Sequence, residues 1–148
     1  MRFSILQKLT GLGGLPTGQV VGSGAAAAAV QQLLAELPEL LLAAVLDAGS
    51  GEVLAGVAST RHYQPAAVAG PATAVVQQLR ALLAAQGLPP AELHEAVLTL
   101  ATQLHVLQLT ADGQQLLYLA VDARDTNLAI ARQLAATATA QLASQLPN

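Results

Sequence analysis

Leu116-Leu117-Tyr118-Leu119-Ala120-Val121-Asp122-Ala123-Arg124-Asp125-Thr126-Asn127-Leu128-Ala129-Ile130-Ala131-Arg132 is the stretch whose reading decides the fold. Its first six residues form an unbroken apolar run bounded by Asp122, which suits a strand interior to a sheet. A short polar turn follows. Asp125 can cap the next helix, because a carboxylate there accepts an orphan backbone N–H of the first turn. Leu128, Ala131, Ala135, Ala138 and Leu142 then recur at helical spacing. The unit is a strand, a turn and an amphipathic helix running from about Thr126 to Leu146.

Working back from that unit, residues 93–122 divide into three strands. Ala111-Asp112-Gly113-Gln114 separates the last two, and Asp-Gly between apolar runs is a strong hairpin signal. The last strand is expected over 115–121, the one before it over 104–110, and the first over 96–101, with a turn at Thr102-Gln103. Glu92, Leu93, Glu95 and Ala96 are helix formers that can carry a helical turn into that first strand. Further upstream, residues 40–46 and 52–58 are apolar runs joined by Asp47-Ala48-Gly49-Ser50-Gly51, a second hairpin.

Two helices complete the order. One is expected from Ser23, as N-cap, to Leu37, with Val30, Leu33, Leu34 and Leu37 as its stripe and Pro38 as its stop. The other follows polar residues 59–65, has Pro71 near its first turn, and closes at Gly87 and Pro89-Pro90. Ala72, Val75, Val76, Leu79, Leu82, Leu83 and Gln86 mark its apolar face. Antiparallel hairpins joined by helices imply an α+β fold with a five-stranded sheet and helices on both faces. Residues 1–22 are expected to be a tail. Phe3 and Leu6 offer at most a short amphipathic turn, and the Gly-rich stretch 11–18 reads as a linker.

Composition narrows the function. In 148 residues, 53% are hydrophobic and only 10% charged, against about 25% charged in ordinary domains. A surface so poor in charge resists self-association weakly, so a homo-oligomer is expected. Six Lys+Arg stand against nine Asp+Glu, and Phe3, Tyr63 and Tyr118 are the aromatic residues. Nucleic-acid binding needs phosphate-neutralising cations and stacking rings, and the chain offers neither in number. No cysteine is present, which removes disulfides, thiolate nucleophiles and zinc–thiolate sites. The apolar span 25–46 contains Glu36, Pro38 and Glu39, which argue against membrane insertion. Lys8 interrupts any signal-peptide core. A cytoplasmic protein is expected.

Catalytic patterns are lacking. Gly11-Leu12-Gly13-Gly14 has no preceding strand and no phosphate-loop lysine after it. His62, His94 and His105 show no i, i+3 or i+4 spacing for a metal on a helix face. Ser50 lacks a nucleophile-elbow context. Asp47 and Asp112 read as turn residues, and Asp122 and Asp125 as residues flanking a helix start. No catalytic residue, cofactor or metal site is expected. The second helix is more informative. Opposite its apolar stripe it carries Thr73, Ala74, Gln77, Gln78, Arg80, Ala81, Ala84 and Ala85, less charge than a solvated face usually holds, which fits either a compositional bias or a surface that another helix approaches.

The element order, the turn after Leu46-Asp47, and the ending from Leu117 through Asn127-Leu128-Ala129-Ile130-Ala131-Arg132 together resemble the roadblock/dynein light-chain family over about residues 23–146. The resemblance implies a sheet ordered 2-1-5-4-3, with the first and last helices on one face and the middle helix on the other. It implies a homodimer in which the third strand pairs with its symmetry mate and the middle helices pack together. Ala96, Val97, Leu98, Thr99, Leu100, Ala74 and Ala81 would then form the dimer interface. It further implies a non-enzymatic regulator or scaffold of a small Ras-like GTPase, with Gln77, Gln78, Arg80 and Ala84 as partner-facing residues. The second helix carries a single cation, Arg80, which argues against a trans arginine finger. The alternative is a self-assembling scaffold with no GTPase partner.

Overall fold

The computed structural model describes residues 17–124 and 126–144. The cap expected at Asp125, the turn expected around Phe3 and Leu6, and the end of the last helix at Leu146 lie outside these residues. The elements in chain order are β1 (Val21–Gly22), α1 (Gly24–Glu36), β2 (Leu40–Asp47), β3 (Val53–Ala58), α2 (Pro65–Ala85), a 3₁₀ turn (Pro90–Glu92), β4 (Glu95–Thr99), β5 (Gln103–Leu109), β6 (Gln115–Asp122) and α3 (Leu128–Ser144).

The strands form one antiparallel sheet ordered β1-β3-β2-β6-β5-β4. From β3 onward this is the expected order. The expected count of five is corrected to six, because residues at the end of the presumed tail add a strand outside β3. Val21 lies opposite Gly56, and Gly22 opposite Ala55. Gly22 has φ +102°, and a Cβ there would sit 2.3 Å from the Leu54 carbonyl oxygen. Only glycine allows this edge approach, and a two-residue strand offers too little periodicity to be read from sequence.

Alternation along the strands feeds two cores. Ala43 and Val45 of β2, Leu104 and Val106 of β5, and Leu117, Leu119 and Val121 of β6 face α1 and α3. They meet Val30 and Leu33 of α1, and Ala131, Ala135, Ala138 and Leu142 of α3. Leu46, Leu107, Leu109 and Leu116 face the other way, toward Ala69, Ala72 and Val76 of α2. Each fully buried Leu or Val contributes roughly 1.5–3 kcal/mol. The apolar runs in β2 and β6 are continuous because both faces are covered.

Both hairpin turns form as the sequence implies. Asp47 Oδ1 accepts N–H bonds from Gly49 (2.9 Å) and Ser50 (2.8 Å). Asp112 Oδ1 accepts from the Thr110 hydroxyl (2.7 Å) and the Gln114 N–H (2.9 Å). Four local expectations change. Ser23 occupies the N-cap position of α1, but its hydroxyl makes no capping bond. Asn127 caps α3, its Oδ1 accepting the Ile130 N–H at 2.9 Å, so the helix starts at Leu128 rather than Thr126. Pro71 lies inside α2, since the helix already begins at Pro65 with its ring at a tolerated first-turn position. The strand expected over 96–101 is Glu95–Thr99, preceded by the 3₁₀ turn, and it closes on β5 through the Leu100 N–H to Gln103 carbonyl bond (2.9 Å).

Candidate interaction surface

β4 is the last strand of the sheet, and its outer edge is unpaired among the described residues. The Leu109 N–H donates to the His94 carbonyl and the Leu100 N–H to the Gln103 carbonyl, both at 2.9 Å. His94 and Leu100 therefore turn their backbone groups inward to β5. The pleat alternates, so Glu95, Val97 and Thr99 turn theirs outward to the free edge. An edge with such a row of donors and acceptors is a template for another strand.

The side chains beside that edge are apolar. Ala96 packs into the α2-side core, so Leu98 and Leu100 share its face of the sheet. Leu98 is 44% exposed and Leu100 49% exposed. Across from them, α2 lies over the tips of both hairpins. Thr73 stands beside Gly51, and the Arg80 guanidinium donates to the Gly113 carbonyl (3.2 Å). The opposite flank of α2 carries Val68, Val75 and Leu82 at seven-residue spacing. Val68 packs, as Tyr63 and Tyr118 do, against the buried group Leu42, Ala58 and Ala120, and Val75 (41% exposed) and Leu82 (55% exposed) continue that line of the helix toward the uncovered part of the sheet.

This corrects the expected apolar stripe of α2. Ala72 and Val76 are core, Leu79 and Leu83 are half-buried, but Val75 and Leu82 are exposed. A helix stripe seven residues in period is wider than one sheet contact requires, and part of it serves a different neighbour. Ala74, Gln77, Gln78, Ala81 and Ala84 are exposed on the outer face of α2. Arg80 is half-buried, held at the hairpin tip rather than extended into solvent.

A polar chain crosses the uncovered sheet face. His105 of β5 lies opposite Leu98 of β4 and Ala120 of β6. Its Nε2 is 2.8 Å from Gln103 Oε1, and its Nδ1 meets the Tyr118 hydroxyl. Gln103 Oε1 can only accept, so Nε2 carries the proton and Nδ1 accepts from Tyr118. Gln103 Nε2 then donates to the Tyr63 hydroxyl at 2.8 Å. The His105 and Tyr118 rings stand edge to face, centroids 5.5 Å apart. Burial lowers the His105 pKa and raises that of Tyr118, so both groups are held neutral. The sequence places His105 on a strand but gives no sign of this chain, whose members come from three separate segments.

The other sheet face carries a second polar group. Gln108 and Thr139 are buried. Gln108 donates to Glu95 Oε2 (3.0 Å) and accepts from the Thr139 hydroxyl (2.9 Å), while Arg132 pairs with the same glutamate. These bonds tie α3 to the edge strand. His62 and His94 are exposed, apart from both polar groups. Among the described residues, no cluster of His, Cys, Asp or Glu could hold a metal ion, and no helix is long and apolar enough to cross a membrane.

The antiparallel sheet with two helices on one face and one on the other, ending in strand–turn–helix, is the roadblock/LC7 fold, here with the short β1 added at one edge. Solved structures share this fold. Myxococcus xanthus MglB superposes with a TM-score of 0.68 at 15% identity, over 79% of this chain and 90% of its own. The gliding protein MglB of Thermus thermophilus gives 0.67 at 20% identity, over 88% and 96%. A roadblock/LC7 domain from Streptomyces avermitilis gives 0.63 at 16% identity, over 81% and 92%. No protein-family model matches the chain, and no curated protein matches it.

Proposed function

We propose that this chain is a non-enzymatic, cytoplasmic, homodimeric module that regulates or scaffolds a small Ras-like GTPase. The observation that carries the reading is the free edge of β4 with Leu98 and Leu100 beside it and Val75 and Leu82 facing them. A two-fold axis through Val97 sets Val97 against its equivalent in the second copy and Glu95 against Thr99, using every outward backbone group of the strand. Ala96 and Leu98 then meet across the axis, and the α2 helices approach through Val75, Leu82, Ala74 and Ala81. The interface buries exposed apolar area and removes the sheet edge. The fold shared with MglB structures supports a regulator. Gln77, Gln78, Ala84 and Arg80 are the proposed partner-facing residues, with residues 1–22 largely outside the module.

Sedimentation equilibrium of the purified chain tests the dimer, and pull-down against the Ras-like GTPases of the same genome, in both nucleotide states, tests the partner. Binding to one of them with altered hydrolysis or exchange is the expected result. Failure with all of them refutes the regulatory reading. A second reading, self-assembly without a GTPase, is favoured by the charge-poor composition and by an MglB structure described as having a tetrameric arrangement. Species well above a dimer in light scattering would support it.

A further inference from the structure

We infer that His105 makes the pairing of two copies across β4 sensitive to pH, with the neutral imidazole permitting it and the imidazolium opposing it. The inference rests on the dimer reading above and concerns its regulation. The geometry is the chain Tyr118–His105–Gln103–Tyr63, which lies on the sheet face that Leu98 and Leu100 border. A second copy seated against β4 and the Val75/Leu82 flank of α2 covers that face.

In the neutral form every bond in the chain is satisfied in one direction, from Tyr118 to His105 to Gln103 to Tyr63. Protonation puts a second N–H on the ring at Nδ1. That N–H must donate to the Tyr118 oxygen, and the Tyr118 proton must then find another acceptor. The side chains facing the ring supply no carboxylate to take it. β4 presents Leu98, β6 presents Tyr118 and Ala120, and α2 presents Val68, which packs against the group Leu42, Ala58 and Ala120. The loop before α2 presents Tyr63, with Arg61 and His62 exposed beyond it.

No carboxylate answers the charge. Among the described residues, His105 bonds only Tyr118 and Gln103, and burial alone accounts for its lowered pKa. Glu95 is on β4, but its carboxylate is engaged with Arg132 and Gln108 on the opposite sheet face. Glu92 and His94 are exposed near the other end of the strand. Arg80 is bound at the hairpin tip. The symmetry mate brings the same groups, so pairing strips water from two imidazoles and supplies no counter-charge. A charged group moved into such a site is disfavoured.

The sign follows. A group whose charged form is penalised by burial binds fewer protons in the buried state. The dimer is therefore fully favoured above the pKa His105 has in the single folded copy, which burial already holds below the ordinary histidine value, and weakens as pH falls through that lowered value. A penalty of about threefold at each of two symmetric sites multiplies to about tenfold.

The test is sedimentation equilibrium of the full chain from pH 7.5 to 5.5, above the range where carboxylates titrate. The dissociation constant should rise about tenfold toward pH 5.5. In His105→Gln it should change less than about twofold, and His94→Gln should behave as the parent does. Nuclear magnetic resonance supplies a reading without mutation: the His105 ring should titrate at lower pH in concentrated, dimeric samples than in dilute ones. A chain monomeric at pH 7.5 overturns the pairing and this inference with it. A dimer whose affinity is flat with pH, one whose pH dependence survives in His105→Gln, or a His105 titration unmoved by dilution overturns the inference alone.

Discussion

Leu98→Ala is the sharpest probe of the free edge. In a single copy the side chain is 44% exposed, on a strand whose inner neighbours are already paired. Full burial of a leucine is worth about 1.5–3 kcal/mol, so covering the exposed part is worth about 1 kcal/mol. Two-fold symmetry makes the loss count once in each copy. The substitution should therefore weaken the dimer by about 2 kcal/mol, close to thirtyfold in dissociation constant. Leu98→Lys should weaken it further, because pairing would take the new ammonium out of water beside Ala96 of the second copy with no counter-charge. Stability of the isolated fold should move by no more than about 0.5 kcal/mol, since little of the core depends on this residue. Sedimentation equilibrium reads the first quantity and urea unfolding of dilute protein the second. A dimer with unchanged affinity in both variants refutes the β4 interface. A large loss of monomer stability with intact pairing refutes the claim that Leu98 is exposed for a partner rather than held by the core.

Asn127→Ala should cost about 1 kcal/mol in urea unfolding, because the Ile130 N–H loses its acceptor; an unchanged midpoint would show that this cap contributes nothing. Gly56→Ala should cost about 1–3 kcal/mol by overpacking, since its Cβ would lie 2.8 Å from the Pro65 ring where α2 begins; thermal melts check it, and parity with the parent would mean the helix start shifts freely. Asp47 and Asp112 should titrate below 3.8 by nuclear magnetic resonance. The Ser50 N–H is the main cause at Asp47 and the Thr110 hydroxyl at Asp112. Their contribution is present above the ordinary carboxylate range and is lost as pH falls through the lowered values. Asp122, held by Arg124, should titrate at about 2; ordinary midpoints at all three would refute the turn hydrogen bonds.

The sheet was legible because its strands announce themselves in two independent ways. β2 and β6 are buried on both faces, so they read as continuous apolar runs, and Asp47-Ala48-Gly49-Ser50-Gly51 and Asp112-Gly113 set the hairpins between strands. Where only one signal acted, the boundaries moved. β4 carries Glu95 and Thr99, whose polar side chains face α3 and the edge, so its apolar content did not define its ends. β1 is held by the close approach of one glycine to a neighbouring strand, a tertiary fact with no local period. The start of α3 moved from Thr126 to Leu128 because Asn127 is itself a competent cap, and sequence alone does not say which polar residue before the helix takes that place.

The interaction surface was harder to read for a related reason. Val75 and Leu82 satisfy the helical period of the core stripe, and hydropathy cannot distinguish a leucine facing the sheet from one facing outward beside it. Only the packing of Val68 against Leu42, Ala58 and Ala120, and the diversion of Thr73 and Arg80 to the hairpin tips, fixes the roll of α2. Once that roll is known, the seven-residue recurrence of Val68, Val75 and Leu82 takes on a different meaning. Its first member seals the molecule's own core, and the next two continue the line past the point where the sheet face is covered. The same line leads onto the face holding His105, so the residue least expected to matter in the sequence sits where covering the apolar patch would strip its water. As an interface, the patch combines apolar contact with His105 inside it, and its strength should depend on pH more than on salt.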